Sequence, residues 1–314
     1  MFATVSQLQR AGVMGMNYRN IACLFEHNPR HRYPLVDDKL RTKDLASDAG
    51  IPVPPLYGVI EIQRQVSHIK RTLAPLKSFV IKPARGSGGN GILVISGQLH
   101  GFYRRAHGGM LTDHDLQHYL SRILSGMYSL GAQPDRAMIE YLVNFDPVFS
   151  SITYQGVPDV RIVVYRGVPV MAMVRLPTWR SRGRANLHQG AIGAGVDIAT
   201  GVTREAVLAN RIVAEHPDTG VAIAGIHVPY WDLLLQTAAR CYELTGMGYL
   251  GADFVLDKAK GALLLELNAR PGLNIQIANR SGLIPRLKLV DSYVATPCSL
   301  TERVGFAKHE FRGS

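Results

Sequence analysis

Cysteine is scarce in this sequence: the chain has three cysteines, Cys23, Cys241 and Cys298, which lie far apart and form no CxxC pair. A disulfide framework or a cysteine-ligated zinc site needs paired or clustered cysteines, so the sequence favours neither. Disulfides are rare in reducing compartments, and the low cysteine content fits such a compartment. We therefore expect the protein to be cytoplasmic.

Long apolar runs are missing as well. No stretch approaches the ~18 uninterrupted apolar residues of a membrane span, and the N-terminus lacks the charged start and apolar core of a signal peptide. We therefore expect no membrane partner. Internal repeats and low-complexity segments are absent too. The chain of 314 residues, 46% of them hydrophobic, is long enough for a sizeable core and too long for one small domain.

Acidic residues are fewer than basic ones. The sequence has 24 Asp and Glu against 35 Lys and Arg, which gives a net charge of +11. This balance favours anionic partners such as a nucleotide or an acidic small molecule. Interleaved aromatic and basic tracts are absent, as are zinc-finger and basic-zipper patterns, which argues against a nucleic-acid partner. The densest basic cluster fits either a solvated face or a loop over an anionic substrate: Arg175, Arg180, Arg182 and Arg184.

Residues 248–272 carry the most informative pattern in the chain. Two apolar runs, at 254–256 and 263–268, are separated by the turn sequence DKAKG, which predicts a β-hairpin. Because successive side chains of a strand point to opposite faces, Glu266 and Asn268 share one face, and Asp253 lies beside them across the hairpin. Clustered oxygen ligands of this kind suit Mg²⁺. The alternative is a hairpin with ordinary polar residues at its end.

Residues 79–96 predict a strand, a glycine-rich turn and a second strand. The glycines match GxGxxG, but a Rossmann loop opens a helix, whereas residues 92–95 are β-branched and strand-like. The sequence GK[ST] of a Walker loop is also absent. The pattern therefore predicts a hairpin tip whose backbone N–H groups approach phosphates, with Lys82 on the incoming strand. A plain glycine hairpin is the alternative.

The rest of the chain predicts elements that connect these two patterns. Asp37 or Asp38 caps a helix over 39–49, and Gly50 ends it. Further predictions are helical structure over residues 1–32, a strand at 138–143, a hairpin over 159–173, a helix ending at Gly246 and helical structure over 274–296.

Three polar groups within these elements leave alternatives open. Asp159 and Arg161 share a strand face, as an outward ion pair or as part of a site. The segment WRSRGRANLHQGAIGAG has the composition of a mobile loop over a site. His114 and His118 are four residues apart on a predicted helix, and a solvated face is favoured over a zinc pair because Asp115 stands where HExxH has glutamate.

The order of these elements resembles that of an ATP-grasp ligase over residues 36–275. The segments that carry the resemblance are DDKLRTKDLASDAGIPVP, FVIKP with RGSGGNGI, MIEYL, DVRIVVYRGVPV, NLHQGA, and GADFVLD with LLLELNARPG. Within the superfamily, RANLHQGA resembles ribosomal-protein glutamate ligases, and MNYRN resembles alpha-L-glutamate ligase-related proteins. One departure matters. Most ATP-grasp ligases have a doubly wound substrate domain before the first helix, and here only about 35 residues precede it, so their acceptor site is not carried over.

The resemblance implies an α+β ATP-grasp fold, with two sheet-bearing lobes clasping the nucleotide and a short helical N-terminal segment. It divides the chain into an N-terminal helical segment with the first helix (1–75), a small lobe with the glycine-rich lid (76–143), a large lobe with the metal site (144–297) and a C-terminal tail (298–314).

The resemblance also implies the site. ATP would be bound by residues of the first helix, the glycine turn and the adenine hinge: Lys39, Lys82, Gly86, Ser87, Gly88, Gly89, Glu140, Tyr141 and Leu142. Two Mg²⁺ ions, or Mn²⁺ in their place, would be held by Asp253, Glu266 and Asn268; the family accepts asparagine at the last position. Arg161, Arg270 and Asn186 would line the reacting groups as catalytic residues.

The implied reaction is ATP-dependent ligation of a carboxylate to an amine. The carboxylate attacks the γ-phosphate to give an acyl phosphate, and the amine then displaces phosphate. The basic composition suggests an acidic amino acid or peptide as substrate, although neither donor nor acceptor is identified. A kinase with a hydroxyl acceptor and a non-catalytic nucleotide-binding protein are the alternatives. The oligomeric state is left open, including a homo-oligomer.

Overall fold

The computed structural model describes residues 4–86, 88–294 and 296–313 of the chain, and these residues form two compact units. The larger unit contains the described residues up to Asp37, then Arg41–Pro52, and all described residues from Asn144 onward. The smaller unit contains Asp38–Leu40 and Val53–Val143. Ser87, which we predicted to contact the nucleotide, lies outside the described residues.

A six-stranded antiparallel sheet forms the smaller unit, with the strand order β1-β6-β2-β3-β4-β5. Its strands are β1 Leu56–Ile60, β2 Phe79–Pro83, β3 Leu93–Leu99, β4 Phe102–Arg105, β5 Met110–Leu111 and β6 Ala137–Glu140. Phe79 and Ile81 alternate along β2 and are fully buried on one face. They belong to one core with Leu116 and Leu120 of the neighbouring amphipathic helix. This core supports β2, the strand that carries Lys82.

A seven-stranded antiparallel sheet forms the centre of the larger unit, in the order β11-β10-β9-β8-β7-β12-β13. Its strands are β7 Asp159–Tyr165, β8 Val168–Leu176, β9 Ile192–Val196, β10 Thr203–Leu208, β11 Arg211–Val213, β12 Tyr249–Asp257 and β13 Gly261–Asn268. Every residue of β7 and β12 is buried, which explains why both strands are apolar on both faces. Any polar side chain on these two strands therefore lies in the protein interior.

The α-helices are α1 Val5–Arg10, α2 Met16–Tyr18, α3 Pro34–Asp37, α4 Lys39–Asp48, α5 Gln63–Val66, α6 Ile69–Leu73, α7 Asp113–Leu124, α8 Trp231–Thr245, α9 Ile275–Asn279, α10 Ile284–Tyr293 and α11 Leu300–Glu310. The predicted helix over 39–49 is confirmed as α4. The N–H of Leu40 donates to Asp38 Oδ1 at 3.1 Å, and Gly50 follows the helix with a φ of 69°. Within the described part of the chain, no helix has the length and apolarity that crossing a bilayer requires.

The C-terminal residues differ from the prediction of a loose tail. Helix α11 begins after Ser299, whose side chain accepts from the N–H of Glu302 while Glu302 accepts from Ser299, a reciprocal capping box. Arg303 and Phe311 are buried, so the helix is packed rather than loose. The basic composition of this stretch concealed its apolar positions, and the Ser-x-x-Glu spacing was the signal that would have revealed the helix start.

Asn28 attaches the N-terminal segment to the central hairpin of the larger unit. Its side chain, 2% exposed, donates to the carbonyl oxygens of Tyr249 at 2.6 Å and Ala269 at 3.1 Å, and its Oδ1 accepts from the N–H of Tyr249 at 2.8 Å. The carbonyl of His27 also accepts from the N–H of Gly248 at 2.8 Å. Asn28 thus joins the start of β12 to the residue that follows β13.

Replacing Asn28 by alanine is therefore expected to destabilise the larger unit. The change leaves the buried backbone groups of Tyr249 and Ala269 without their partner, and such a loss costs about 1–3 kcal/mol. The measurement is the free energy of unfolding from urea titration. Asn17→Ala is the matched control, because Asn17 is exposed in the same segment. Equal unfolding free energies for the two variants would contradict a structural role of Asn28.

Candidate active site

The glycine-rich turn of the smaller unit connects β2 to β3. Because a strand follows the turn, the rejection of a Rossmann loop is confirmed. Gly88, Gly89 and Gly91 have φ values of 63°, 76° and 72°, in the left-handed region that glycine adopts readily. Gly91 also lies so close to the ring of Tyr128 that a Cβ would come within 2.5 Å of it. The turn therefore needs glycine for its backbone path and for close packing.

Lys39 contacts this turn directly. Its Nζ donates to the carbonyl oxygen of Gly86 at 2.5 Å, and its backbone N–H donates to Ala84 at 2.9 Å. Gly86 in turn forms an isolated β-bridge with Ser129. The structure thus brings together Lys39 and the first glycine of the turn, two of the residues that we predicted to bind ATP.

Lys82 and Glu140 form a buried ion pair in the smaller unit, with 4% and 3% of their surface exposed. They lie on the adjacent strands β2 and β6, in which Val80 is the partner of Glu140. Tyr141, just beyond β6, is half-buried and donates its N–H to Pro55 at 2.9 Å; Leu142 is half-buried too. Lys82 and Glu140, which we predicted to contact different parts of ATP, are therefore side by side.

The three residues that we predicted to bind Mg²⁺ lie together in the larger unit. Asp253 on β12 and Glu266 on β13 are register partners. The Nδ2 atom of Asn268 lies 3.2 Å from Asp253 Oδ2 and 3.5 Å from Glu266 Oε1. Asp253 is fully buried, whereas Glu266 and Asn268 are half-buried. Three oxygen-bearing side chains therefore meet at one end of the hairpin.

Asp253 is also the acceptor for two arginines. Arg161 on β7 binds it in bidentate fashion, with Nε 2.6 Å from Oδ1 and Nη2 2.5 Å from Oδ2. Arg175 on β8 donates through Nη2 to Oδ2 at 2.8 Å. Arg175 also donates to Asp159, from Nε to Oδ1 at 2.5 Å and from Nη2 to Oδ2 at 2.6 Å. Asp159, Arg161, Arg175 and Asp253, which we call the buried charge network, span the strands β8, β7 and β12.

This network excludes two of the possibilities that the sequence left open. Asp159 and Arg161 do not form an outward ion pair: both are buried, and Asp159 pairs with Arg175 while Arg161 pairs with Asp253. Arg175 is likewise not part of a solvated basic face, since its side chain is 12% exposed. The physical reason is strand burial, because both faces of β7 and most of β8 are covered.

The network sets the protonation of its two carboxylates in opposite directions. Burial alone would raise the pKa of Asp253, but the charges of Arg161 and Arg175 and the hydrogen bond from Arg161 outweigh burial and hold its pKa well below the usual range. Burial raises the pKa of Asp159 to about 6, since Arg175 only partly offsets it and the charge of Asp253 adds to it. Asp253 is therefore an anion at neutral pH.

The two other predicted catalytic residues have local partners. Arg270 is exposed, donates through Nη2 to Asp37 at 2.8 and 3.0 Å, and lies over the ring of Tyr33 at 4.7 Å. Asn186 is half-buried, and its side chain accepts from the N–H of His188 at 3.0 Å, which caps a short 3₁₀ turn. Neither is among the residues bonded to Asp253.

The donor set suits Mg²⁺ in its chemistry. Two carboxylates and one amide supply hard oxygen ligands, and Mg²⁺ commonly takes one or two carboxylates and completes its shell with water and substrate phosphates. In the part of the chain that the structure describes, no group of three or more His, Cys, Asp or Glu residues is suited to hold a metal on its own. An ion at Asp253, Glu266 and Asn268 would therefore depend on phosphate oxygens.

The family of the chain follows from its sequence together with this geometry. Residues 18–292 match the sequence model of the family described as sugar-transfer associated ATP-grasp. The chain belongs to this family. The predicted ATP-grasp fold, α+β with two antiparallel sheets, is thereby confirmed, and so is the identification with the ATP-grasp superfamily. A specific closeness of this ATP-grasp protein to glutamate ligases stays a prediction.

Several solved structures are similar to the chain. The ATP-grasp ligase PsnB with a minimal precursor is 18% identical, with a TM-score of 0.45, over 86% of this chain and 63% of PsnB. The D-cycloserine synthetase DcsG is 14% identical, with a TM-score of 0.45, over 85% of this chain and 72% of DcsG. The D-alanine–D-alanine ligase from Coxiella burnetii is 14% identical, with a TM-score of 0.45, over 88% of this chain and 61% of the ligase.

The extent of these matches is limited. The ATP-grasp chain spans less than two thirds of the length of PsnB and of the Coxiella burnetii ligase. PsnB structures include complexes with Mg and ADP and with AMPPNP. No curated protein matches the sequence.

Arg175 is the site residue that our sequence reasoning missed, since we grouped it with the exposed arginines of the following loop. The signal was its position in VPVMAMVRL, a run that is apolar at both alternating sets of positions and so predicts a strand buried on both faces. A charged residue within such a run needs a buried partner of opposite charge. The partners, Asp159 and Asp253, lie on other strands and are not evident from the local sequence.

Replacing Arg175 by methionine is expected to destabilise this ATP-grasp protein by about 3–5 kcal/mol, because it leaves buried carboxylates without their partner. The measurement is the free energy of unfolding in urea. Arg280→Met is the control: its ion pair with Glu205 is exposed on both sides, and loss of such a pair costs about 1 kcal/mol or less.

A second variant keeps this prediction testable if Arg175→Met yields no folded protein. Arg175→Lys retains the charge but loses the planar fork that binds two carboxylates, so we expect a destabilisation between the control and methionine. If either Arg175 variant were as stable as Arg280→Met, Arg175 would have no role in holding the network.

Proposed function

We propose that this ATP-grasp protein is an ATP- and Mg²⁺-dependent ligase that joins a carboxylate to an amine. The observation that carries the proposal is the meeting of Asp253, Glu266 and Asn268 at the end of one hairpin, in a chain of the ATP-grasp family. The names of PsnB, DcsG and the Coxiella burnetii protein describe ligases or synthetases. For this chain, ligation is a proposal.

Residues of the smaller unit would bind ATP. Lys82, with its charge desolvated beside Glu140, and Lys39, on the carbonyl of Gly86, are the cations we assign to the phosphates. The left-handed glycines Gly88 and Gly89 carry no side chain, so a phosphate can approach their backbone closely. Tyr141 and Leu142, which follow β6 as half-buried residues, are assigned to adenine together with Glu140.

Residues of the larger unit would hold the metal. Glu266 and Asn268 are the half-buried donors, and Asp253 completes the set from the buried side. When bound, Mg²⁺ neutralises and orients phosphate oxygens. The role that we assign to Arg161 and Arg175 is to keep the Asp253 carboxylate ionised and fixed in one orientation. Arg161 therefore acts through Asp253, while Arg270 and Asn186 stay predictions as groups near the reacting atoms.

The proposed chemistry needs no nucleophile from the protein. A carboxylate oxygen of the substrate attacks the γ-phosphorus, and the bond between that phosphorus and the oxygen of ADP breaks. The amine of the second substrate then attacks the acyl carbon of the acyl phosphate, phosphate leaves, and the nitrogen loses a proton. Positioning and charge stabilisation are what this reaction requires of the protein, which fits a site built from lysines, arginines and oxygen donors.

The substrate class is the finer part of the proposal. The net charge of +11 favours an anionic substrate, and the resemblance to glutamate ligases suggests an acidic amino acid or peptide. The family description associates its members with sugar transfer, which adds a saccharide to the classes to be tested. The kinase and the non-catalytic nucleotide-binding protein remain the alternatives to a ligase.

Product analysis by mass spectrometry separates these possibilities. The protein is incubated with ATP, Mg²⁺ and pools of amino acids, peptides and acidic saccharides. A product whose mass equals that of two substrates less water, with release of ADP and phosphate, supports ligation. A substrate that gains one phosphoryl group without free phosphate identifies a kinase and contradicts the ligase.

MgATP is expected to raise the thermal midpoint of the protein. A ligand that binds only the folded state at about 100 times its dissociation constant adds about 2.7 kcal/mol of stability. Lys82→Met should remove most of that increase, whereas Lys77→Met, an exposed lysine of the same unit, should retain it. The compared quantity is the shift caused by MgATP within each variant. A wild-type midpoint that does not move with saturating MgATP would refute nucleotide binding.

Glu266→Gln is expected to reduce turnover of ATP at least about 100-fold, because a neutral amide is a weaker ligand for Mg²⁺ than a carboxylate. ATP consumption is measured with the substrates found by mass spectrometry, and circular dichroism reports whether the fold is retained. Glu205→Gln, an exposed glutamate on β10, is the matched control. Turnover near the wild-type value in Glu266→Gln would reassign the hairpin to a structural role.

A further inference from the structure

The connection between β8 and β9 exposes one of the two tryptophans of the chain. Trp179 is 69% exposed, whereas Trp231 is 4% exposed and donates its Nε1–H to Ile198 at 2.8 Å. Burial of a tryptophan usually stabilises a protein substantially, and an exposed one forgoes that gain. The exposed indole of Trp179 is therefore available for a ligand.

The backbone of the turn that carries Trp179 is hydrogen-bonded at several points, within the segment whose composition predicted a mobile loop. The side chains of Thr178 and Ser181, both nearly fully buried, accept from each other's N–H at 2.9 and 3.0 Å. The hydroxyl of Thr178 donates to Gly190 at 2.7 Å, which closes the base of the loop. The N–H of Trp179 donates to Asp218 Oδ2 at 2.7 Å. The backbone beneath the indole is thus held on several sides.

Two exposed arginines follow Trp179 in the same turn. Arg180 and Arg182 are exposed, and the N–H of Arg182 donates to the carbonyl of Trp179 at 3.0 Å. Arg184 is exposed as well, and its Nη1 donates to Gln189 at 3.1 Å. We call Trp179, Arg180 and Arg182 the indole platform. Its chemistry combines one flat aromatic face with two guanidinium groups that bind carboxylates through a planar fork.

The indole platform follows, along the chain, a residue of the buried charge network. Arg175 near the end of β8 donates to Asp253, and Trp179 follows it by four residues. Four residues of extended chain span at most about 13 Å. The chain thus keeps Trp179 within about 13 Å of Arg175, the residue that donates to Asp253.

We propose that the indole platform binds an acidic saccharide, a chain of more than one sugar with carboxylate groups. This inference rests on the proposed ligase function, for which the saccharide would be the carboxylate substrate. The C–H groups on the face of a sugar ring carry partial positive charge and pack on the negative face of an indole. The hydroxyl groups of the saccharide stay in contact with water at this exposed surface. Its carboxylates would pair with Arg180 and Arg182.

An acidic peptide fits the platform less well. Its carboxylates are satisfied by the arginines, but its acidic side chains are flexible and present no flat face to Trp179. Fixing such side chains on binding costs conformational entropy. The sugar ring is already rigid, so stacking on an indole whose backbone is held by Asp218 orders little on either side.

Quenching of tryptophan fluorescence tests the proposal without turnover. Acrylamide reaches the exposed Trp179 far more readily than the buried Trp231, and the variant Trp179→Phe supplies the remaining signal of Trp231. The probes are an oligomer of galacturonic acid, an uncharged oligomer of glucose of equal length, and an oligomer of glutamate, all at constant ionic strength. We expect the galacturonate oligomer to protect Trp179 and the other two to give at most a tenth of its affinity.

Single substitutions then test whether the arginines of the platform contribute to binding. Arg182→Asn suits the backbone, because residue 182 has a φ of 52° and asparagine tolerates that region. We expect it to weaken binding of the galacturonate oligomer at least about tenfold, which is the loss of about 1.4 kcal/mol. Arg211→Asn, an exposed arginine on β11 of the same unit, should leave binding unchanged.

Three results would overturn the proposal. Equal or stronger protection by the glutamate oligomer would assign the platform to acidic peptides. Equal protection by the glucose oligomer would remove the role of the carboxylates. No protection by any probe would leave the platform without a saccharide ligand. Because binding is measured without nucleotide, failure here is distinguishable from failure of the ligase, which the MgATP shift tests separately.

Discussion

The ion pairs of Asp253 are the interaction on which the rest of the candidate active site depends. This carboxylate is fully buried, and its ionised form exists there only because Arg161 and Arg175 lie against it. The charge of Asp159 balances that of Arg175, so the network contains two negative and two positive charges. Glu266 and Asn268 stand beside a network that is already neutral. A cation at this hairpin is therefore attracted mainly by Glu266 and by the phosphates that accompany it.

Burial explains which parts of the site could be predicted from the sequence. The hairpin over residues 248–272 has turn residues between two apolar runs, so both its existence and the proximity of Asp253, Glu266 and Asn268 follow from local pattern. The pairing of Arg175 with Asp253 is different, because the two residues are 78 positions apart and on strands that are not neighbours. Nothing in the local sequence specifies which buried carboxylate a buried arginine will meet.

The two ends of the chain show the same division. The helix after Asp38 was predictable from its cap and its terminal glycine, since both signals lie within a few residues. Asn28 gave no such signal, although it bonds to residues 221 and 241 positions away. The segment before α4 therefore helps to hold the hairpin of β12 and β13 in place. The residue types of this segment did not indicate that role. Helix α11 was missed for a simpler reason, because its basic composition was given more weight than its capping box.

The loop between β8 and β9 shows that composition does not reveal how the backbone of a loop is hydrogen-bonded. Glycine and arginine predict a surface loop, and that much is right, but the threonine, serine and aspartate that fix its backbone are as common in mobile loops. Hydrogen bonds to the backbone fix the position from which the side chain of Trp179 extends. A mobile tryptophan would lose entropy on binding any ligand, whereas a tryptophan on a held turn distinguishes ligands by the shape of the face that they present. Charge alone attracts every anion to a protein of net charge +11, and selectivity among those anions must come from a group with a defined surface.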